Sequence, residues 1–342
     1  MESPRAASEA RRSRRRPRPA RRRALLYTSL ALVAAVGGTA AGTVYVKAHA
    51  RDNGAVSSAA SPSPSSSASA NGEASVEPVT EPAVDRDALL STAMAKVTVP
   101  SGAKVSAAVL DLDSGDSAAY GDAAFDTASI VKVDILATLL LQAQDAGRHL
   151  TATEKAYATK MIENSDNTSA SQLWDVIGKA AGLDAANKRF GLTETEGGDG
   201  ALWGLTQTTA ADQLTLLQQV FGDDSKLSEA SRSYIQGLMK TVESDQRWGV
   251  SAAADGSEYA LKNGWLARST TGLWDVNSIG RVTVDGTDYL VAVLSKGTVS
   301  QAKGIAVVEG AAKAAVRSFI DADSSASASA SASASASASA SQ

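Results

Sequence analysis

The run SIVKVDILATLLLQAQDAG, residues 129–147, governs how the rest of the chain reads. Ile130, Val133, Leu136, Leu140 and Ala143 recur at helical spacing and Gly147 supplies a stop, so the pattern predicts a strongly apolar helix over residues 129–146. Ser129 and Lys132 open that helix about one turn apart on one face, where an amine can reach a hydroxyl. The unpaired N–H groups of a helix start favour negative charge developing beside them.

On the N-terminal side, Val105, Ala107, Val109, Leu110 and Leu112 predict a strand over residues 104–112. Ser114-Gly115-Asp116 then turns into a second strand ending near Tyr120, which makes an opening hairpin. On the C-terminal side, Thr151 and Glu154 form a capping box that starts a helix running to about Glu163. Further helices fit residues 169–181, 210–221 and 228–242. Strands return at 260–266, 274–284 and 289–295, the last two joined by Asp285-Gly286, and a closing helix covers 300–320. This order predicts an α+β fold with an antiparallel sheet of about five strands, its first and last strands adjacent. Helices flank the sheet and the middle block forms an all-helical lobe, an arrangement whose active site is expected between the two parts.

The ends are different in kind. Residues 1–23 hold ten arginines and read as a basic cytoplasmic segment. Residues 24–46 carry no charged side chain, which predicts a transmembrane signal anchor over residues 24–47 with its basic end inside the cell. Ala48-His49-Ala50 fits a small-x-small cleavage site and gives the rival reading, a removed signal peptide and a secreted product. Residues 48–84, rich in Ser, Ala, Pro and Glu, and the Ser/Ala tail at 322–342 read as disordered spacers. The body, residues 85–321, is then expected outside the cytoplasm. Residues 1–47 hold eleven basic and two acidic side chains, leaving 22 basic against 35 acidic beyond them. A body so acidic repels phosphate backbones, so nucleic acid is excluded as a partner. The expected partners are a small-molecule or peptide substrate and, through the N-terminal helix, the membrane; the body is expected to be a monomer.

No cysteine is present, which removes disulfides, thiolate nucleophiles and cysteine-ligated metals. Of two histidines, His49 sits in the export segment and His149 where a helix ends, so neither a Ser-His-Asp triad nor a histidine metal site is expected, and no cofactor. A hydrolase built from this chain needs a hydroxyl nucleophile activated by lysine or a carboxylate. Ser-x-x-Lys begins at Ser101, Ser129 and Ser300, but only Ser129 opens an apolar helix, where burial makes a lysine a competent base. Ser165-Asp166-Asn167 follows in the loop between two helices. Lys262-Asn263-Gly264 lies on a strand, where glycine would allow a substrate backbone to approach closely.

In that order the three motifs resemble the signature set of the penicillin-recognising serine enzymes, and residues 85–321 look like the class A β-lactamase family and its DD-peptidase relatives. The resemblance implies that Ser129 is acylated while Lys132 takes its proton. It gives Ser165 the relay of a proton to the leaving nitrogen, and Asn167 a hold on the substrate amide oxygen and on Lys132. Lys262 would supply charge for a substrate carboxylate, with Asn263 and Gly264 binding substrate beside it. The backbone N–H groups of Ser129 and Trp265 would form the oxyanion hole, and Asp166 would brace the motif. Two departures stand out. Asn263 replaces the family's Thr or Ser, although an amide can still donate. Where the family carries a water-activating Glu, this chain has Asp199-Gly200-Ala201-Leu202-Trp203. Asp199 is a shorter substitute, Glu194 and Glu196 are equally available by composition, and a solvated acidic loop is the plain expectation. The implied function is an exported β-lactamase-like serine hydrolase acting on a β-lactam or related amide. A DD-peptidase, transpeptidase or esterase of cell-wall peptides is the alternative. A non-catalytic wall-binding module is the third, opposed by the intact Ser129, Lys132, Ser165 and Asn167.

Overall fold

The computed structural model describes residues 84–256 and 258–339. The basic segment, the anchor or signal and nearly all of the linker lie outside the described residues. Among those described, no helix is long and apolar enough to cross a membrane.

The chain enters through α1, Arg86–Met94, a helix not anticipated above, whose first turn is capped by the Asp85 carboxylate accepting from Ala88 N at 2.9 Å. The hairpin of β1, Lys104–Asp111, and β2, Ser117–Tyr120, follows as expected, and a two-residue strand β3, Phe125–Asp126, leads into α2, Val131–Asp145. The helical block comprises α3, Ala152–Glu163; α4, Asn167–Ile177; and α5, Lys179–Phe190. A short β4, Gln207–Thr208, that pairs with β3 precedes α6, Ala210–Phe221, and α7, Glu229–Lys240. Strands β5, Tyr259–Ala267; β6, Trp274–Val284; and β7, Thr287–Thr298, return the chain to the sheet before α8, Gln301–Ser339.

The sheet is antiparallel, in the order β2-β1-β7-β6-β5, so its first and last strands meet in register from Lys104 opposite Lys296 to Asp111 opposite Tyr289. Asp285 and Gly286 both have positive φ, 50° and 85°, which suits the tight two-residue connection of β6 to β7. Both faces of the sheet are covered. Leu290, Ala292 and Leu294 of β7 join the core beneath the helical lobe, while Tyr289, Val291 and Val293 pack with α1 and α8. Every residue of α2 from Val131 to Leu141 is buried, as befits a helix held between lobe and sheet.

Two expectations change. The single helix expected at 169–181 is two, because Gly178 at φ 90° takes the left-handed conformation that ends α4, its N–H bonding Asp175 O at 3.2 Å. The final helix does not stop near 320 but continues to Ser339 through the Ser/Ala alternation expected to be unfolded. Alanine at every second position there carries the best intrinsic helix propensity, and α8 is already nucleated by its packed first half.

Candidate active site

Ser129 sits not on α2 itself but on the 3-10 turn Ala128–Ile130 that leads into it. Ala128 has φ 48°, a left-handed conformation that costs a residue with a Cβ about 1–2 kcal/mol. The surroundings impose it. Asn277 of β6 donates from Nδ2 to Asp126 O at 2.9 Å and Thr127 O at 3.0 Å, and Thr127 N bonds Thr206 O at 2.9 Å. From the edge strand β5, Gly264 comes so close that a Cβ there would lie 2.7 Å from Thr127 O, 2.8 Å from Ser129 N and 2.9 Å from Ile130 N. The glycine thus admits the backbone around Ser129, where the sequence suggested a substrate's. Gly264→Ala pits a methyl against three backbone atoms that cannot swing aside. It is expected to destabilise by about 1–3 kcal/mol and to slow any reaction at Ser129, read from the melting temperature and the acylation rate together.

Lys132, in the first turn of α2, has no exposed surface. Its amine donates to Ser165 O at 2.6 Å and Asn167 Oδ1 at 2.8 Å and lies 3.1 Å from Ser165 Oγ. Among the described residues no hydrogen bond joins it to Ser129 Oγ, so the direct pair expected from the spacing is not made. That spacing assumed one continuous α-helix, whereas the 3-10 turn offsets Ser129 and stronger acceptors claim the amine. Burial pushes the Lys132 amine down to about 7, against the opposing pull of the Asp166 charge.

Ser165 is reached from both sides. Lys262 of β5, also without exposed surface, donates to Ser165 Oγ at 3.0 Å and to Asn263 O at 2.9 Å. Burial, and then the charge of Lys132, push the Lys262 amine well below its ordinary value, so its positive charge is disfavoured. Ser165 has φ 54°, so among the described residues two of the four non-glycine residues with positive φ, Ala128 and Ser165, lie at this cluster. Backbone outliers of that kind gather at functional sites. Asp166 caps α4, accepting from Ser169 N at 2.7 Å, and hydrogen bonds from the Ser169 side chain and backbone hold its carboxyl below the usual range. Asn167, placed in a loop by the sequence, occupies the first position of α4.

Other expected residues are placed differently. Asn263 is 1% exposed, and its two amide donors go to Gln246 O at 2.7 Å and Trp248 O at 2.9 Å. It therefore braces the segment before β5 and has no N–H left for a substrate carboxylate. Trp265 is half-buried against Trp248, ring centroids 5.9 Å apart. Asp199, Glu194 and Glu196 are exposed, and among the described residues none forms a hydrogen bond or ion pair with Lys132. His149 is exposed just past α2.

What does stand beside Lys132 is Trp203, its ring centroid 4.9 Å from the amine and its Nε1 donating to Ser171 Oγ at 3.1 Å. Its loop is not loose. Asp212 accepts from Thr193 N, Glu194 N and Thr195 Oγ1, Asp184 accepts from Gly197 N, and Trp174 Nε1 donates to Gly200 O at 2.8 Å. Neither Trp203 nor Asn277 was given a role by the sequence. The first is visible there only as a large apolar residue in a polar loop, and the second as an Asn-Ser interruption of an apolar strand. Between this loop and the end of β5 opens a cleft of about 620 Å³, lined by Ser171, Leu202, Trp203, Leu205, Leu266 and Arg268 among others.

Residues 144–319, just over half of the chain, match the family described as the beta-lactamase enzyme family, a match that begins after Ser129 and Lys132. The lipoprotein LppW of Mycobacterium tuberculosis, like that of Mycobacterium bovis, is 27% identical over 173 residues, covering 48% of this chain and 55% of the relative. The chain thus spans about half the length of the curated relatives it matches. Among solved structures, PBP-A aligns with a TM-score of 0.59 at 21% identity, over 68% of this chain and 96% of that one. A PBP-A variant described as an acyl-enzyme complex with penicillin G gives 0.58 at 22%, covering 68% and 97%. A beta lactamase of Xanthomonas campestris gives 0.56 at 20%, covering 68% and 98%. Since the fold extends over nearly the full length of these structures and the family match runs from the end of α2 into α8, the chain belongs to the beta-lactamase enzyme family.

Proposed function

We propose that this chain is an exported serine hydrolase of the penicillin-binding kind, acylated on Ser129 and slow to release the acyl group. The observation that carries the proposal is the meeting of two buried amines, Lys132 and Lys262, on one hydroxyl, Ser165 Oγ, at 3.1 and 3.0 Å. Two mutually repelling amines gathered without exposed surface serve stability poorly, and such a cluster is the kind of perturbed, desolvated group that chemistry uses. In the proposed reaction Ser129 Oγ attacks the carbonyl carbon of an amide or β-lactam and neutral Lys132 takes its proton. The tetrahedral oxyanion rests on the N–H groups of Ser129 and Trp265, and the C–N bond then breaks. Ser165, exchanging protons with the two amines, hands one to the leaving nitrogen. Asn167 holds the substrate amide oxygen, and the cleft beside Trp203 receives the acyl side chain.

Slow release is favoured over β-lactamase turnover because an indole, not a carboxylate, covers Lys132. The arginine-rich start and the uncharged stretch at 24–46 support export, as does a relative described as a lipoprotein. Incubation with penicillin G followed by intact-protein mass spectrometry tests the proposal. A Ser129 adduct that persists supports it; a transient adduct with loss of drug makes the protein a β-lactamase, and no adduct removes the acylation chemistry. The acylation rate is expected to rise with pH through about 7 and then level, because only unprotonated Lys132 accepts the serine proton. A rate independent of pH across that interval counts against Lys132 as the base.

A further inference from the structure

We propose that Trp203 is a positioning residue of this site, whose indole shuts water away from Lys132 and from any acyl group on Ser129. The inference rests on the acylation chemistry just described and adds to it what sets the state of the base and the life of the intermediate.

The amine of Lys132 is enclosed by Ser165 and Asn167, which supply its three acceptors, and by the Trp203 ring 4.9 Å away. The indole cannot easily swing aside. Its Nε1 is fixed to Ser171 of α4, the helix that begins with Asn167, and its backbone carbonyl accepts from Thr206 Oγ1 at 2.8 Å. Thr206 in turn binds Thr127 N at 2.9 Å, so the loop and the Ser129 turn form one connected unit. Charged groups act on the amine from two neighbouring elements. Asp166 at the start of α4 favours its charged form, and Lys262 of β5, whose own charge Lys132 disfavours, stands across Ser165 Oγ from it. On its own helix, Asp134 is turned to Asn187, 3.0 Å away. Among the described residues no carboxylate lies within ion-pair distance of Lys132.

Two effects of the indole oppose each other. Its π face attracts a cation, but that attraction is several times weaker than the desolvation of a buried amine, which amounts to as much as about 3–5 pKa units. Exclusion of water therefore wins, and the neutral, proton-accepting form is favoured. The same exclusion denies a hydrolytic water the place next to the base from which it would be activated.

Two measurements on the full chain test this. In an NMR titration of the lysine Cε resonances, which needs no substrate, Trp203→Leu is expected to move the Lys132 midpoint upward by about one unit or more, and Trp203→Phe, which keeps a ring, by much less. With penicillin G, the Ser129 adduct of Trp203→Leu is expected to decay at least about tenfold faster than that of the wild type. An unchanged or lowered midpoint in Trp203→Leu overturns the role in setting the base, and an unchanged adduct lifetime overturns the role as a barrier to water. A fall in melting temperature with both readouts unmoved reduces Trp203 to a structural residue. Failure of the wild type to form any adduct would instead sink the acylation chemistry, leaving the titration to judge Trp203 by itself.

Discussion

Ser129→Ala is expected to abolish the covalent penicillin adduct completely while leaving the protein folded. Ser129 is half-buried, and among the described residues its hydroxyl joins no hydrogen bond, so its removal is expected to change stability by less than about 1 kcal/mol. Among the described residues Ser165 is the one rival hydroxyl of the cluster, and its proposed part is to relay a proton. Ser165 Oγ has both amines upon it, and its backbone lies one connection away, at the entrance to α4. Intact mass after incubation with penicillin G, together with a thermal melt, reads both halves of the expectation. An adduct that survives in Ser129→Ala, on Ser165 or elsewhere, would overturn the assignment of the nucleophile.

Lys132→Met is expected to slow acylation by about a hundredfold to ten-thousandfold, the usual contribution of a positioned base, with little change in the melting temperature near neutral pH. The second part follows from two opposing terms. The lysine titrates at 10.5 unfolded and at about 7 folded. Above both values it is neutral in either state and costs nothing. Between them the unfolded chain binds a proton that the folded protein forgoes. Wild-type stability therefore falls as the pH drops from 10.5 towards about 7 and levels off below, by about 1.4 kcal/mol for each unit separating the two values. Methionine removes that penalty and its pH dependence. It also leaves Ser165 O and Asn167 Oδ1 without a donor, at about 1–3 kcal/mol for a buried polar group. Denaturation of both proteins at pH 7 and pH 10 distinguishes the terms, the wild type gaining more stability than the variant on going to the higher pH. Acylation at near wild-type rates in Lys132→Met would show that the amine is not the base.

Much of the architecture was legible because it is encoded by neighbours in the chain. The capping box at Thr151 and Glu154, observed with Glu154 N bonded to Thr151 Oγ1 at 3.1 Å and Thr151 N to Glu154 Oε2 at 2.7 Å, involves residues three apart. The same holds for the apolar run of β1, buried without a break from Ser106 to Asp111, and for the Asp285-Gly286 turn. The break at Gly178 was missed because the apolar spacing runs on through it, and α1 because its few apolar residues leave only Leu90 and Met94 buried.

The candidate site divides in the same way. The sequence by itself determined which groups are available: a serine and a lysine at the head of the one apolar helix, a Ser-Asp-Asn motif, a Lys-x-Gly on a strand, and no cysteine or well-placed histidine to compete with them. Only the tertiary structure decided who touches whom. It brought Ser165 to Lys132 across 33 positions and to Lys262 across 97. It also spent the Asn263 amide on a brace and put Trp203 where a carboxylate had been sought. The physical reason is range. Periodicity and capping act over a turn of helix or a pair of strand residues, whereas the company a buried amine keeps is set by how distant segments close around it.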